Sequence, residues 1–272
     1  MPEVIFPGPE GRLEGRYHPQ KERDAPIAII LHPHPQFGGT MNNKVVYNLH
    51  YAFHRMGFTV LRFNFRGVGR SQGEYDQGVG ELSDAASALD YLQSMNQNSK
   101  HCWVAGFSFG AWIGMQLLMR RPEITGFISV SPPANTYDFS FLAPCPSSGL
   151  IINGGADRVS APTDTVSLVG KLQEQKGITV THEEVPGADH FFKDPYMDPI
   201  AAKLADETIQ VMDMTGDDRY YMKVAQTIGA ASQTLEEAFL TEVRVRMAAR
   251  KAMAMIQAAK KSAAPPKSSN QQ

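Results

Sequence analysis

The sequence predicts an α/β fold built on a mostly parallel sheet. Apolar runs of strand length alternate with longer stretches of helical periodicity over the first 215 residues, which is typical of strand–helix–strand units. The candidate strands lie near residues 3–6, 12–17, 26–31, 58–65, 102–107, 125–131, 149–153 and 178–185. The candidate helices lie near residues 43–56, 79–95, 109–120, 162–176 and 199–213. The first two strands are expected to pair as an antiparallel hairpin across a turn rich in proline and glycine.

The composition is that of a globular protein in an aqueous compartment. The chain has 272 residues, of which 42% are hydrophobic, so it can bury a full core. No apolar stretch approaches the roughly 20 residues that cross a bilayer, and the N-terminus lacks a basic region followed by an apolar one. We therefore expect a cytoplasmic protein without a transmembrane segment.

Several classes of chemistry have no motif in this sequence. It contains no CxxC, HExxH, P-loop or dinucleotide-binding glycine pattern. The two cysteines, Cys102 and Cys145, are expected to be free thiols, because so few cysteines do not form a stabilising disulfide framework. We therefore expect neither a metal nor a cofactor, and no nucleic-acid partner.

The most informative motif is Gly106-Phe107-Ser108-Phe109-Gly110, which follows an apolar run and precedes a helical pattern. A serine at such a strand-to-helix turn has a strained backbone and an exposed hydroxyl, and flanking glycines let other chain segments approach closely. A G-x-S-x-G sequence arises by chance in about one chain in ten of this length, so the motif needs support from elsewhere. Ser108 is the candidate nucleophile.

An acid and a histidine follow the serine in the order that a catalytic triad of this kind requires. Asp157 comes after the apolar run 149–153, although capping of a turn or of the next helix is an equally common use of aspartate. His190 lies on a loop after the candidate strand 178–185 and is the candidate general base. Asp189 is a minor alternative to Asp157, because adjacent side chains in a turn usually diverge.

The loop after the strand at residues 26–31 is the candidate oxyanion loop. It reads His32-Pro33-His34-Pro35-Gln36-Phe37-Gly38-Gly39-Thr40. An oxyanion hole needs one backbone N–H from the residue after the nucleophile, here Phe109, and one from this loop. Proline has no N–H, so the second donor is His34 or Gln36, and His34 is favoured. The two histidine side chains are expected to pack the turn.

With these motifs the chain resembles the α/β-hydrolase superfamily over roughly residues 1–215, and its His-Pro-His-Pro loop resembles a branch of small bacterial serine hydrolases. Residues 60–73 are similar to the strand and Arg-Gly-x-Gly-x-Ser turn of that family. The resemblance implies an eight-stranded, mostly parallel sheet with helices on both faces. Many relatives carry aspartate where Asn64 stands, and we expect this departure to affect a structural hydrogen bond rather than the reaction.

The chain lacks an insertion that is common in hydrolases of this class. Many hydrolases of this class insert a cap domain between the strand ending near Ser131 and the strand beginning near Gly149, but here that gap holds fewer than about 20 residues. We expect no large cap and an open pocket. Such a pocket favours small or medium acyl esters, thioesters or amides over long-chain lipids.

The composition changes after residue 215, and three regions are predicted: a catalytic domain at 1–215, a helical extension at 216–261 and a disordered tail at 262–272. Thr234-Leu235-Glu236-Glu237 offers a capping box before one long helix. From Leu235 onward the chain has seven basic residues and three acidic ones. This positive charge indicates either a solvated helix face or a helix that contacts membranes or acidic partners. Apolar residues recur every four positions, at Leu235, Phe239, Val243 and Met247. They favour packing against the core or a homodimer through this helix.

These features together predict a serine hydrolase of the carboxylesterase or thioesterase type that acts on a small-molecule acyl substrate. Ser108, His190 and Asp157 form its triad, and the N–H groups of His34 and Phe109 form its oxyanion hole. Two alternatives remain. One is a peptidase or amidase of the same fold, and the other is a hydrolase-fold binding protein without activity.

Overall fold

Eight strands form one sheet in the first 193 residues. They are β1 (Glu3–Gly8), β2 (Gly11–His18), β3 (Ile27–Leu31), β4 (Thr59–Phe63), β5 (Cys102–Phe107), β6 (Ile124–Val130), β7 (Gly149–Gly154) and β8 (Val180–Val185). The strand order is β1-β2-β4-β3-β5-β6-β7-β8. β1 pairs with β2, and β2 with β4, in antiparallel fashion, and the remaining pairs are parallel. The predicted eight-stranded, mostly parallel sheet with its N-terminal hairpin is confirmed.

The computed structural model describes residues 2–193, 197–230 and 232–263. The chain divides into two units, Met1–Lys193 and Asp194–Gln272. The first contains the sheet and the second contains three helices. Within the described residues, none of the helices is both long enough and apolar enough to span a membrane.

Both faces of the central strands are covered, because every residue of β3 and β4 is buried. Along β3, Ile27, Ile29 and Leu31 belong to one core cluster and Ala28 and Ile30 to the other. This alternation follows from the two-residue period of a strand, and it explains why the strand reads as a continuous apolar run.

Four helices of the first unit cover these faces: α1 (Lys44–Arg55), α2 (Val79–Met95), α3 (Phe109–Arg120) and α4 (Pro162–Gln173). Each lies within three residues of its predicted bounds. Asn43 caps α1 by accepting a hydrogen bond from the N–H of Val45 at 2.9 Å. The buried Glu81 caps α2, because its carboxylate accepts hydrogen bonds from the N–H groups of Asp76 and Gly78.

The connection between β6 and β7 spans residues 131–148. It contains a single short 3-10 turn, Ser140–Leu142, and no cap domain is inserted there. The predicted absence of a large cap therefore agrees with the fold.

The second unit consists of α5 (Met197–Thr215), α6 (Tyr220–Gly229) and α7 (Gln233–Ala263). The sequence predicted α5 and α7 but not α6. Small side chains let the helices approach closely around an apolar cluster made of Ala201, Ala205, Ala225, Ala238, Phe239 and Val243. On the polar side, Arg250 of α7 forms a bidentate ion pair with Asp213 of α5, at 2.7 and 2.8 Å.

This packing bears on the apolar stripe of α7. Phe239 and Val243 are fully buried inside the helical unit, so these two side chains pack against helices of their own chain. Met247 is 39% exposed. The homodimer through this helix stays a prediction, which light scattering of the full chain at micromolar concentration tests. The predicted disordered tail lies outside the described residues from position 264 onward.

Candidate active site

Ser108 occupies the turn between β5 and α3 with a left-handed backbone, φ 55° and ψ −120°. Two close approaches explain the flanking glycines. A Cβ on Gly106 would lie 2.2 Å from the carbonyl oxygen of Gly110, and a Cβ on Gly110 would lie 2.4 Å from that of Leu31. The Ser108 N–H donates to Val130 O at 2.9 Å, which ties the turn to the end of β6. The sequence motif therefore folds as a strained, tightly packed turn around Ser108.

The structure brings Ser108, His190 and Asp157 together in one hydrogen-bonded chain. His190 Nε2 lies 3.0 Å from Ser108 Oγ, and His190 Nδ1 lies 2.8 Å from Asp157 Oδ2. The three residues are 9%, 5% and 4% exposed. The imidazole thus bridges the hydroxyl and the carboxylate in a largely dry environment, where each of these interactions is strengthened.

Both carboxylate oxygens of Asp157 make hydrogen bonds. Its Oδ1 accepts the N–H groups of Val159 and Ser160, both at 2.8 Å. Burial favours the neutral acid, but the hydrogen bonds from His190, Ser160 and Val159 outweigh it and lower the pKa of Asp157 below its usual range. The aspartate is therefore held ionised and in a fixed orientation beneath the imidazole.

Asp189, the alternative partner of His190, makes hydrogen bonds to the backbone of its own loop. Its Oδ1 accepts the N–H groups of Phe191 at 3.0 Å and Lys193 at 3.2 Å. These bonds close the turn that carries His190. The adjacent carboxylate shapes the loop, and Asp157 contacts the imidazole.

The loop after β3 is fixed at its start by His32, which is completely buried. Its Nε2 accepts the N–H of Phe65 at 3.0 Å, and its Nδ1 lies 2.6 Å from Pro33 O. These two contacts require a neutral ring that is protonated on Nδ1. Burial lowers the pKa of His32 to about 4, against the opposing effect of its bond to Pro33. His32 therefore packs the turn and links it to the residues following β4.

His34 and Phe109 lie side by side, with ring centroids 5.0 Å apart. The N–H of Phe109 is the first of α3, a position that has no intrahelical acceptor. The N–H of Gln36 already donates to His34 Nδ1 at 3.2 Å, whereas no acceptor within residues 2–193 takes the N–H of His34. Of the two loop candidates, His34 is thus the one whose backbone donor is uncommitted.

The far end of this loop depends on Asn64. Its Oδ1 accepts the N–H of Met41 at 2.8 Å, and its Nδ2 donates to Glu14 Oε2 at 3.1 Å. An aspartate here would lack the Nδ2 donor and would face the Glu14 carboxylate. Asparagine in place of the family's aspartate therefore suits the buried Glu14 carboxylate beside it. Asn64 makes no hydrogen bond to Ser108, His190 or Asp157.

Tyr75, in the loop between β4 and α2, is a site residue that sequence reasoning missed. Its hydroxyl lies 3.1 Å from His34 Nε2, and its ring centroid lies 6.2 Å from that of Phe109. Tyr137 flanks Phe109 from another side at 6.0 Å and stacks on Trp112 at 4.3 Å. Aromatic rings therefore surround Phe109. No motif in the sequence indicates that residues so far apart meet at this point.

Among the described residues, neither a metal-binding cluster nor a thiol accompanies Ser108. Among them, no group of three or more histidine, cysteine or acidic side chains could hold a metal ion. Cys102 and Cys145 are both buried and form no disulfide, and burial raises the pKa of the Cys102 thiol to about 12. Neither thiol lies in the serine site.

The doubly covered sheet and the strained serine turn define this protein as an α/β-hydrolase. Residues 15–183, more than half of the chain, match the family model described as X-Pro dipeptidyl-peptidase (S15 family). The chain belongs to this family. The narrower branch marked by the His-Pro-His-Pro loop stays a prediction.

Three relatives illustrate the similarity. A crystal structure of an Agrobacterium tumefaciens protein of unknown function, described as a candidate α/β-hydrolase, is 66% identical with a TM-score of 0.70, over 79% of this chain and 98% of that one. XC6422 from Xanthomonas campestris, described as an α/β serine hydrolase without lid, is 33% identical with a TM-score of 0.62, over 70% and 86%. The uncharacterized protein RP471 of Rickettsia prowazekii is 54% identical over 197 residues, which are 71% of this chain and 83% of that protein.

Proposed function

We propose that this α/β-hydrolase is a serine esterase or thioesterase that cleaves small to medium acyl substrates through an acyl-enzyme. The observation that carries the proposal is the continuous hydrogen-bonded chain from Ser108 Oγ through His190 to Asp157, at 3.0 and 2.8 Å. Nucleophile, base and orienting acid each stand within hydrogen-bond reach of the next.

In the acylation step, Ser108 Oγ attacks the acyl carbonyl carbon while its proton passes to His190 Nε2. The imidazolium is stabilised by Asp157, whose hydrogen bond to Nδ1 also fixes the tautomer in which Nε2 is the base. Collapse of the tetrahedral intermediate breaks the bond to the leaving group. That group, an alcohol or a thiol, receives the proton back from His190 Nε2.

Negative charge develops on the carbonyl oxygen in this step, and the N–H groups of Phe109 and His34 are the proposed donors to it. One comes from the N-terminus of α3 and the other from the loop after β3, so both are backbone groups on fixed elements. Each preorganised donor of this kind lowers the barrier by about 3 kcal/mol. The deacylation step repeats the sequence with water as the nucleophile.

The proposed substrate size follows from the short β6–β7 connection. Without a cap, little protein surface is available to enclose a long alkyl chain over the serine. Soluble short and medium acyl esters or thioesters are therefore favoured over emulsified long-chain triglycerides. Faster turnover on the emulsified triglycerides would contradict this part of the proposal.

The direct experiment is hydrolysis of p-nitrophenyl esters from acetate to decanoate by the native protein and by Ser108→Ala, with fluorophosphonate labelling of both. We expect activity and labelling of the native protein, loss of both in the variant and a maximum within the shorter chains. If the native protein is folded but neither hydrolyses the esters nor reacts with the fluorophosphonate, the serine esterase proposal fails. The alternative of a hydrolase-fold binding protein then takes its place.

A peptidase is the second candidate, and one observation favours it: the matched family model is described by an X-Pro dipeptidyl-peptidase activity. The same Ser108 chemistry cleaves an amide when the leaving amine is protonated by His190. Release of p-nitroaniline from Xaa-Pro-p-nitroanilides separates the two. Turnover of these amides at a kcat/KM above that of the esters would assign the peptidase function.

A further inference from the structure

The direction of the hydrogen bonds around His34 is set by its backbone neighbour. The N–H of Gln36 points at His34 Nδ1, so Nδ1 must be the unprotonated acceptor of a neutral ring. The ring proton then lies on Nε2, and Nε2 donates to the Tyr75 hydroxyl at 3.1 Å. The phenol oxygen is therefore an acceptor in this contact, and its own proton is directed elsewhere.

Nothing in the described part of the chain takes that proton. The contact with His34 is the only hydrogen bond of the Tyr75 hydroxyl among residues 2–193, 197–230 and 232–263. The phenol is also a persistent donor, because burial, together with the nearby Tyr137 and Glu81, raises the pKa of Tyr75 to about 12. A partly buried O–H with a fixed lone pair and an uncommitted proton is a preorganised donor.

The Tyr75 hydroxyl lies next to the residues that are proposed to bind the substrate carbonyl. The rings of Tyr75, His34 and Phe109 form one cluster, with centroid separations of 4.9, 5.0 and 6.2 Å. His34 and Phe109 are also the residues whose backbone N–H groups are proposed to hold the substrate carbonyl. The Phe109 ring is buried in the core, whereas His34 and Tyr75 are only partly buried. Because the Tyr75 hydroxyl contacts the side chain of His34, it lies one histidine side chain and one hydrogen bond away from the proposed His34 N–H donor.

We propose that Tyr75 is a specificity residue that donates a hydrogen bond to an oxygen in the acyl chain of the substrate, and that His34 is its positioning residue. The proposal rests on the serine hydrolase function proposed above. The preferred acyl groups carry an ether or carbonyl oxygen a few atoms from the ester. A pure hydrocarbon chain of the same length would cover the hydroxyl and leave its proton without an acceptor.

That difference sets the expected size of the effect. An enzyme site built to pair a polar group discriminates against an analogue that leaves the group unpaired, and a buried unpaired donor corresponds to between about fivefold and about a hundredfold in rate. We therefore expect at least about a fivefold preference in kcat/KM for an oxygen-bearing acyl group.

The test compares four p-nitrophenyl esters of similar chain length: pentanoate, ethoxyacetate, 3-methoxypropanoate and 4-oxopentanoate. Each kcat/KM is divided by the rate constant for alkaline hydrolysis of the same ester, which removes differences in intrinsic reactivity. The proteins are the native chain, Tyr75→Phe and Tyr91→Phe. Tyr91 is a matched control, a partly buried tyrosine of α2 whose ring stacks on Phe6 at 4.8 Å. Because the readout is a ratio of two substrates on one site, incomplete folding of a variant cancels.

The native protein and Tyr91→Phe should prefer at least one oxygen-bearing ester over pentanoate. Tyr75→Phe should lose that preference, because it removes the donor that pairs with the acyl oxygen and that pentanoate leaves unpaired. A native protein without the preference, or a preference that survives Tyr75→Phe, overturns the assignment and leaves the serine mechanism intact. If no ester is hydrolysed and Ser108 does not label, the proposed function fails and this assignment fails with it.

Discussion

Replacement of Asn64 by aspartate, the residue that many α/β-hydrolases carry there, should destabilise this protein. Asn64 is 4% exposed, and its amide donates to Glu14 Oε2 at 3.1 Å. In Asn64→Asp a second carboxylate replaces the donor. Two unit charges at that separation repel by about 5 kcal/mol at an effective dielectric constant of about 20. Relaxation and proton uptake reduce this cost, so we expect the free energy of unfolding to fall by about 3 kcal/mol.

Urea denaturation followed by circular dichroism measures this loss, and for a domain of this size it corresponds to a fall in Tm of about 10 °C. Two further variants make the test specific. Asn98→Asp adds the same charge at an exposed position of the first unit and should leave the Tm almost unchanged. The double variant Glu14→Gln with Asn64→Asp restores one donor and one acceptor, and should recover at least about half of the lost stability.

Either of two results would refute charge repulsion as the cause of the loss. Asn64→Asp could prove as stable as the native protein, in which case the close Glu14 contact carries no weight. Alternatively, the double variant could be no better than the single one, and the loss would then arise from the bond to the N–H of Met41 rather than from charge repulsion.

The remaining predictions concern the reaction and its loop. Asp157→Asn should reduce kcat on p-nitrophenyl esters by about 10⁴-fold with little change in Tm, and a loss below about tenfold would contradict its orienting role. Gly39→Ala places a Cβ 2.0 Å from Pro33 O and should lower kcat/KM about a hundredfold, whereas Gly170→Ala in α4 meets open space and should keep full activity. His32 titrates near pH 4 in the folded state and near 6.5 in the unfolded state, so unfolding takes up a proton as the pH falls between these values. In urea titrations the native protein should lose about 3 kcal/mol more stability over that window than His32→Gln does, since this difference separates His32 from His18 and His50, whose pKa values burial also lowers.

Much of the sheet could be predicted from sequence because its signals are local. Each strand is an apolar run of fixed length bounded by turn residues, and buried parallel strands such as β3 read as continuous apolar segments. Ser108, Asp157 and His190 each follow such a run closely. The carboxyl ends of parallel strands meet at one edge of a sheet, so their proximity follows from the strand pattern.

The parts that sequence did not predict depend on pairings between distant loops. Tyr75 meets His34 across 41 residues, and Asn64 meets Glu14 across 50. Neither pair has a characteristic spacing, because the meeting point is set by how two separate turns leave the sheet. Helix α6 was missed for another reason. It is a helix of 10 residues, too short for periodicity to distinguish it from a polar connection.

Under the proposed function, the short connection between β6 and β7 also has a consequence for the nucleophile that would attack an acyl group on Ser108. A cover that closes over an active site excludes water and so protects a reactive intermediate from hydrolysis. Residues 131–148 supply a single 3-10 turn instead of such a cover. Added methanol should therefore capture little of the acyl group, and the free acid should dominate the products. The same absence leaves room for a bulky leaving group, so the ester that is cut can be one end of a much larger molecule.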